Sequence, residues 1–588
     1  MKKIILNIAF GFILIMMVLP GIQLIFNLFH EKPLNGAFKL AEKPQFNIMN
    51  WESGEFQENS ERYLKDNSGF RNFLVRLQNQ VDYSLFRQAN AEGAVVGKNK
   101  QLYEYDYIRS WLAIDYPGDS FIEKKLQRTK YVQDYLKREK GIDLVVVLEP
   151  GKASFYPEYI PSMYTDQKTG PSTYELYRQK ATGLGIDFID LQQYFLIMKP
   201  GSEYPLFPRY GTHWSVFGMR FAEDSLLRLI EKRRTITLTE VRVNSMETST
   251  KPRDTDDDVI RTMNLLFQLK GEKLASPVYS FDTAHPGDKP MVLVVADSYY
   301  WNIFNTGIPK YIFANQAFWY FNTAVYPDNY YEPTYTRDLD LRNEVEKQDV
   351  IFLMVTERFI HKFDWTFIDK LYALYTPAWL KDPVYDNINM IMETESWYTD
   401  LIIKAEKKDT TLENVLYEEG KYLEYQSDTL DYFINYGPEY FSRIISGDTT
   451  WMKSIREKAA SKGISEEEML RLDALYIFRQ NYPGLFELYE GLEAVIARIY
   501  TQPELLDSLY FEAASYRWDS PSFIRLKAWQ IYKSEQIQNT CQSIRNDPHW
   551  LEHVREKAIQ KGIPLDEMIR LDAEYVWEQR LKKFYSEK

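Results

Sequence analysis

The chain has 588 residues, 45% hydrophobic and 26% charged, a globular balance in a chain too long for one ordinary core. A formal net charge of −13 leaves no basic footprint for nucleic acid. Cys541 is the single cysteine, which excludes an intrachain disulfide framework and a cysteine-bound zinc, and neither a metal nor a cofactor is expected.

Met1-Lys2-Lys3 precedes an apolar run from Ile4 to about Phe29. At about 1.5 Å per helical residue the run can cross a hydrocarbon core of about 30 Å. The leading lysines favour a cytoplasmic N-terminus, and no small-x-small cleavage site follows. Residues 1–32 are therefore expected to be an uncleaved transmembrane signal-anchor, with a cleaved signal peptide as the alternative. Under the first reading the protein is single-pass in the cytoplasmic (inner) membrane, with its bulk periplasmic or otherwise extracytoplasmic.

Phe73, Leu74, Leu77, Val81 and Leu85 recur at three- and four-residue steps and predict an amphipathic helix. Val95-Val96-Gly97-Lys98 to Leu102-Tyr103 reads as a short hairpin. Four short apolar runs then alternate with helical patterns: Ile142 to Leu148, Ile186 to Leu191, Met291 to Val295 and Val350 to Val355. That alternation predicts a three-layer α/β domain over 33–378 with a mainly parallel sheet. Glu149 and Lys152 follow the first run, Asp297 and Ser298 the third, and Thr356, Glu357 and Arg358 the fourth. If the strands are parallel, these groups converge at the carboxyl edge, where open α/β sheets collect ligands.

Only six histidines are available as a base for Ser298: His30, His213, His285, His361, His549 and His553. His213 lies in Tyr210-Gly211-Thr212-His213-Trp214-Ser215, just before a helix marked by Met219, Ala222, Leu226 and Leu229, with Ser215 as N-cap. A loop histidine with a strand-end Asp-Ser points to acyl transfer, in which an imidazole takes the serine proton and an acid or carbonyl fixes the imidazole tautomer. Backbone N–H groups after Ser298 are the natural oxyanion donors, with Asn302 or Asn305 as possible helpers.

These blocks, taken with Lys152 to Tyr156-Pro157-Glu158-Tyr159-Ile160-Pro161, Ile189-Asp190-Leu191 and Thr356-Glu357-Arg358, resemble the AlgX/AlgJ group of alginate O-acetyltransferase-like proteins with an SGNH-hydrolase-like domain. The resemblance runs from about Trp51 to Glu357. It implies a polysaccharide O-acetyltransferase of exopolysaccharide biosynthesis, with Ser298 as nucleophile and His213 as base. It also implies a polysaccharide acceptor and a membrane acetyl-donor protein as partners. The group carries an acid two residues before the histidine, and this chain has Gly211 there. Three readings follow: a Ser-His dyad held by a carbonyl, an acid from elsewhere with Glu357 and Glu149 the first candidates, or a degenerate site in a glycan-binding or secretion-complex scaffold. A carbohydrate acetylesterase remains an alternative, because both reactions pass through the same acyl-serine.

From about residue 379 the composition becomes helical, and an internal repeat appears. Trp397, Trp451 and Trp550 are each preceded by an isoleucine and followed at fixed offsets by Lys404-Ala405, Lys458-Ala459 or Lys557-Ala558 and then by Tyr422, Tyr476 or Tyr575. Each copy reads as a helical hairpin, with Gly463 as C-cap and Ser465 with Glu468 as a capping box in the second. The tryptophans and tyrosines are expected to be core knobs. The alternative is a surface for a membrane partner or a glycan.

Overall fold

The computed structural model describes residues 2–36, 39–329 and 331–586. They group into two compact units, one of Met1–Asp115, Lys140–Gln179 and Asp187–Phe363, the other of Tyr116–Glu139, Lys180–Ile186 and Asp364–Lys588.

The first unit begins with the helix Lys2–Phe26, predominantly apolar and, in the span Lys3–Phe26, of mean hydropathy 2.4 and exposed over most of its length, with Gly69 packed against Pro20 and Gln23 near its end. By length and composition it fits a single-pass membrane anchor. The helix Arg71–Val81 carries the expected apolar stripe and runs into one wider turn, Asp82–Phe86. The strands in chain order are β1 (Ala94–Val96), β2 (Leu102–Glu104), β3 (Asp143–Glu149), β4 (Phe188–Asp190), β5 (Val241–Ser249), β6 (Leu274–Phe281), β7 (Val292–Ala296), β8 (Ala317–Tyr320), β9 (Ala324–Asn329), β10 (Glu332–Tyr335) and β11 (Val350–Thr356).

The central sheet has the order β10-β9-β8-β7-β11-β3-β4, parallel from β8 through β4 and antiparallel at β8·β9 and β9·β10. The four apolar runs are β3, β4, β7 and β11. β3, β7 and β11 are buried at every position. Central strands covered on both faces need apolar residues on both, which is why they read as continuous runs. The three-strand edge β8–β10 is the addition to the sequence reading. β8 and β10 have four residues each, too short for a periodic signal.

The register fixes the carboxyl edge. Thr356 of β11 lies opposite Glu149 of β3, and Met354 opposite Ala296 of β7. Behind one face of the sheet, Val145, Val147, Val294, Ala296, Phe352 and Met354 pack with Trp214, Met219, Ala222 and Leu226. Those last residues enter and form the helix Val216–Arg234, whose N-cap Ser215 accepts a hydrogen bond from the Gly218 N–H. Trp214 is fully buried and stacks on Phe195 at 6.0 Å, so the loop before the helix is anchored within one residue of His213.

The second unit is helical. Within it the helix Asp119–Tyr135 joins residues from 364 onward: Lys125 Nζ meets Asp364 Oδ1 at 2.7 Å, Asp369 Oδ2 at 2.5 Å and Asn389 Oδ1 at 3.0 Å, and Phe121 stacks on Tyr385 at 5.0 Å. A buried ammonium needs such a set of acceptors. They draw the residues from 364 to 378 into this unit, although the sequence reading placed them in the α/β domain. The repeat copies are the hairpins Glu395–Lys407 with Leu412–Ser427, Thr449–Lys462 with Glu466–Asn481, and Pro548–Lys561 with Leu565–Ser586. Ile391, Ile445 and Ile544 are fully buried, Ala405, Ala459 and Ala558 nearly so, and the three tryptophans are half-buried. Gly463 closes its helix in the left-handed region, φ 67°, and the Ser465 hydroxyl accepts from the Glu468 N–H. The tyrosines correct the core-knob expectation, since Tyr422, Tyr476 and Tyr575 are 56%, 64% and 60% exposed.

Candidate active site

β7 ends at Ala296, and Asp297 follows, fully buried. Its carboxyl accepts from the Tyr299 N–H at 3.0 Å, the Thr356 N–H at 3.0 Å and the Thr356 hydroxyl at 2.7 Å. Burial lifts this carboxyl above the usual range while the three donors pull it down. The bonds clamp the turn after β7 to the end of β11 and hold Ser298, half-buried, at the sheet's carboxyl edge. Asp297 therefore positions the serine and does not touch the imidazole.

His213 Nε2 lies 2.8 Å from Ser298 Oγ, across 85 residues of sequence. Its other ring nitrogen, Nδ1, lies 2.5 Å from Asp258 Oδ2. The pairing puts the proton on Nδ1, donated to Asp258, and leaves Nε2 to accept from the serine hydroxyl. Asp258 is anchored in turn, because its Oδ1 accepts from the Thr212 N–H at 2.8 Å and from its own neighbour Val259 N–H at 2.7 Å. Tyr299 packs on the His213 ring at 4.8 Å and donates its hydroxyl to the Thr212 carbonyl at 2.9 Å. Serine, imidazole and carboxylate form one hydrogen-bonded line with a single direction of proton transfer.

The acid that sequence reasoning sought is thus Asp258, and it arrives on the segment between β5 and β6. Gly211 explains how. A Cβ built on Gly211 would lie 2.4 Å from the Thr255 carbonyl oxygen and 2.9 Å from the Asp256 carbonyl. The missing side chain is the space through which the Thr255–Asp258 backbone approaches the imidazole. Several bonds hold that segment in place. Asn302 Nδ2 donates to Thr255 Oγ1 at 3.3 Å, the Ile260 N–H to the Tyr210 carbonyl at 3.2 Å, and Asn79 Nδ2 to the Met263 carbonyl at 2.8 Å. Asn264 exchanges two bonds with Asn35, at 2.7 and 2.8 Å. The one signal for Asp258 in the sequence was Asp254-Thr255-Asp256-Asp257-Asp258, four acids in five positions between the histidine and serine blocks. Composition cannot choose among them.

Glu357 and Glu149 do not orient His213. Glu357 is buried against Gly151, where a Cβ would lie 1.9 Å from Glu357 Oε2, and it accepts a short hydrogen bond from the Ser154 hydroxyl. Burial pushes its carboxyl up to about 8. Glu149 is buried with neither oxygen hydrogen-bonded among the described residues, and burial, reinforced by Asp297, holds its carboxyl well above the usual range. A carboxyl group without partners in such a place is held neutral. Arg358 pairs with Glu104 and lies over the Phe359 ring at 4.4 Å. Asn302 donates one amide N–H to Thr255, as described, and so supports the acid's segment.

Lys152 acts one layer behind. Its buried ammonium donates to the carbonyls of Pro208 at 2.6 Å, Arg209 at 3.0 Å and Gly211 at 2.7 Å, which fixes the loop that delivers His213. Burial pushes the lysine down to about 7, but three carbonyl acceptors match the three donors of the charged form. At the serine, the Tyr299 N–H is committed to Asp297, whereas the Ser298 N–H takes no partner among the described residues and is the available oxyanion donor.

Part of the chain is similar to known proteins. Residues 96–275 match the family model of the SGNH hydrolase-like domain, acetyltransferase AlgX. This segment is similar to the AlgX-type SGNH domain. The match takes in His213 and Asp258 and ends before β7 and Ser298. A stretch of 142 residues is 30% identical to the probable alginate O-acetylase AlgJ of Pseudomonas aeruginosa, covering 24% of this chain and 33% of that protein. The aligned stretch thus spans about a third of the length of that curated relative. Among solved structures, the O-acetyltransferase domain of Pseudomonas putida AlgJ is 19% identical, with a TM-score of 0.32 over 47% of this chain and 98% of that one. Pseudomonas aeruginosa AlgX is 14% identical, with a TM-score of 0.27 over 45% and 55% respectively.

Proposed function

We propose that this protein is a membrane-anchored polysaccharide O-acetyltransferase working outside the cytoplasm through an acetyl ester on Ser298. One observation carries the reading: the continuous line from Ser298 Oγ through His213 to Asp258, at 2.8 and 2.5 Å. His213 Nε2 takes the hydroxyl proton as Oγ attacks the acetyl carbonyl, and the Ser298 N–H faces the oxyanion that forms. The protonated imidazole, balanced by Asp258, returns the proton to the leaving group. In the second half the hydroxyl of a glycan gives its proton to His213 and attacks the acyl carbonyl; the bond to Ser298 Oγ breaks, His213 returns the proton to Oγ, and the acetylated sugar leaves with the enzyme restored.

The family match and the AlgJ relative support an acetyl group and a polysaccharide acceptor. The apolar N-terminal helix supports an anchor in the cytoplasmic membrane with the catalytic domain on its outer side, where a membrane protein supplies the acetyl donor. The scaffold reading rested on Gly211, and Asp258 removes its motive. The test is Ser298→Ala in the full chain: O-acetylation of the exported glycan and hydrolysis of p-nitrophenyl acetate are both expected to vanish. Unchanged O-acetylation in the variant overturns the proposal.

A further inference from the structure

The catalytic reading makes no use of the helical repeats, yet each copy repeats one surface arrangement. Lys404 pairs with Glu419 at 2.8 Å, Lys458 with Asp473 at 2.5 Å and Lys557 with Asp572 at 2.9 Å. In all three the lysine is on the first helix of the hairpin, the acid follows 15 residues later on the second, and a tyrosine stands three residues beyond the acid. Three residues on a helix return to the same face, so acid and tyrosine flank each other. The acids are mostly covered, at 19%, 15% and 12% side-chain exposure, and the lysines are half-covered, at 40%, 46% and 38%.

The ion pair alone has a structural explanation, since it staples the two helices of its hairpin. The tyrosine does not. Tyr422, Tyr476 and Tyr575 are each more than half exposed, and none of their hydroxyls takes a hydrogen-bond partner among the described residues. A tyrosine kept at one offset in all three copies, with most of its surface and its hydroxyl left to solvent, offers a ring to a ligand. In the first copy the surroundings are an open cleft of about 500 Å³, where Lys404, Lys408 and Arg443 face Glu418 and Glu419 beside Tyr422.

We propose that each repeat copy is a sugar subsite for an uncharged polysaccharide chain. The tyrosine ring takes the apolar face of a pyranose, and the lysine–carboxylate pair beside it supplies both a donor and an acceptor for the ring hydroxyls. In each copy the lysine's charge is met by its own carboxylate, and in the first copy, where Arg443 is likewise paired with Glu418, Lys408 alone adds a charge, so the subsite has little net field to recruit a polyanion. The chemistry favours hydroxyl-rich, neutral rings. The choice of a glycan as ligand rests on the acetyltransferase reading; the subsite geometry does not.

The experiment uses the full chain in detergent and measures binding of three uncharged hexasaccharides, cellohexaose, mannohexaose and chitohexaose, with polymannuronate as the charged control. Wild type is expected to bind at least one hexasaccharide more tightly than polymannuronate. Each of Tyr422→Ala, Tyr476→Ala and Tyr575→Ala is expected to weaken that binding about fivefold, and the triple variant about a hundredfold. The triple Tyr→Phe variant, which keeps the ring face, stays within about twofold of wild type. Equal binding by wild type and the triple alanine variant overturns the proposal, as does tighter binding of polymannuronate or no hexasaccharide binding at all. Turnover of p-nitrophenyl acetate by the same variants is expected to be unchanged. Conversely, Ser298→Ala is expected to lose turnover and keep hexasaccharide binding, so each reading fails separately.

Discussion

The candidate active site and the repeat hairpins assemble comparable groups, a cation or imidazole beside a carboxylate with an aromatic ring close by, by opposite routes. In the α/β unit the partners come from distant places: His213 to Asp258 spans 45 residues and His213 to Ser298 spans 85. In the repeats each pair spans 15 residues and closes within one hairpin. A hairpin pair depends on two helices whose own spacing sets it. The catalytic line depends on a buried clamp at Asp297, a lysine on three carbonyls and a glycine that leaves a gap. Losing one support should therefore be far more damaging in the first region than in the second.

The largest expected effect is at Asp258. Asp258→Asn keeps the shape but removes the carboxylate that selects the Nδ1–H tautomer of His213, and such a loss costs about four orders of magnitude in kcat. Hydrolysis of p-nitrophenyl acetate reads it directly. A loss of less than about tenfold would mean that the imidazole is oriented by something else.

Gly211→Asp comes next, and it restores on paper the residue that the related group carries. The Cβ would lie 2.4 Å from the Thr255 carbonyl oxygen, so the segment bearing Asp258 must move. Displacements of about 1 Å at catalytic groups cost about a hundredfold. The variant is expected to lose at least about that much kcat, and the double variant Gly211→Asp/Asp258→Asn is not expected to recover it. Recovery would show that the site accepts an acid from either segment.

These two positions also mark where the sequence stopped being informative. The apolar runs of β3, β4, β7 and β11, the helix after Ser215 and the identity of Ser298 and His213 were readable because period, length and residue type are local properties. Asp258 was not, because four acids share its pentapeptide and only the tertiary approach past Gly211 selects one. Glu357 and Glu149 looked eligible for the mirror-image reason: both are strand-end acids at the correct edge. Burial makes the first a neutral partner of Ser154 and leaves the second without any partner. In the repeats, the offset of lysine, acid and tyrosine was visible at once, but exposure was not, and the tyrosines were misplaced in the core.

Glu357 gives a third, smaller contrast, in stability. Its carboxyl titrates at about 8 when folded, against an ordinary value of 4.5, so the folded protein holds a proton that the unfolded chain has released. The contribution is fully present below about pH 4.5 and is lost as pH rises through about 8, which makes the first unit less stable by about 2 kcal/mol between pH 5.5 and pH 7. Glu357→Gln keeps an acceptor for Ser154 and has no proton to lose. Its unfolding midpoint is expected to fall less steeply across that window than that of wild type, the remaining slope coming from other buried carboxyls such as Glu149 and Glu223, a difference that denaturant titrations at several pH values will resolve.

The smallest effect belongs to the repeats and tests whether their pairs are as local as they look. Lys458 and Asp473 sit at 46% and 15% side-chain exposure, so water screens most of their attraction. A double-mutant cycle with Lys458→Met and Asp473→Asn is expected to give a coupling of about 0.2–1 kcal/mol. The variants should leave p-nitrophenyl acetate turnover untouched, because a hairpin staple that closes over 15 residues has nothing to transmit to a serine held by β7 and β11. A coupling well above about 1 kcal/mol would place the pair in a drier, more cooperative setting than its exposure indicates. It would also leave the lysine less free to turn a donor toward a sugar. The weakness of the pair is thus itself a condition of the subsite, since a charge that gives up little on leaving its partner is the one that can share its hydrogen bonds with a ligand.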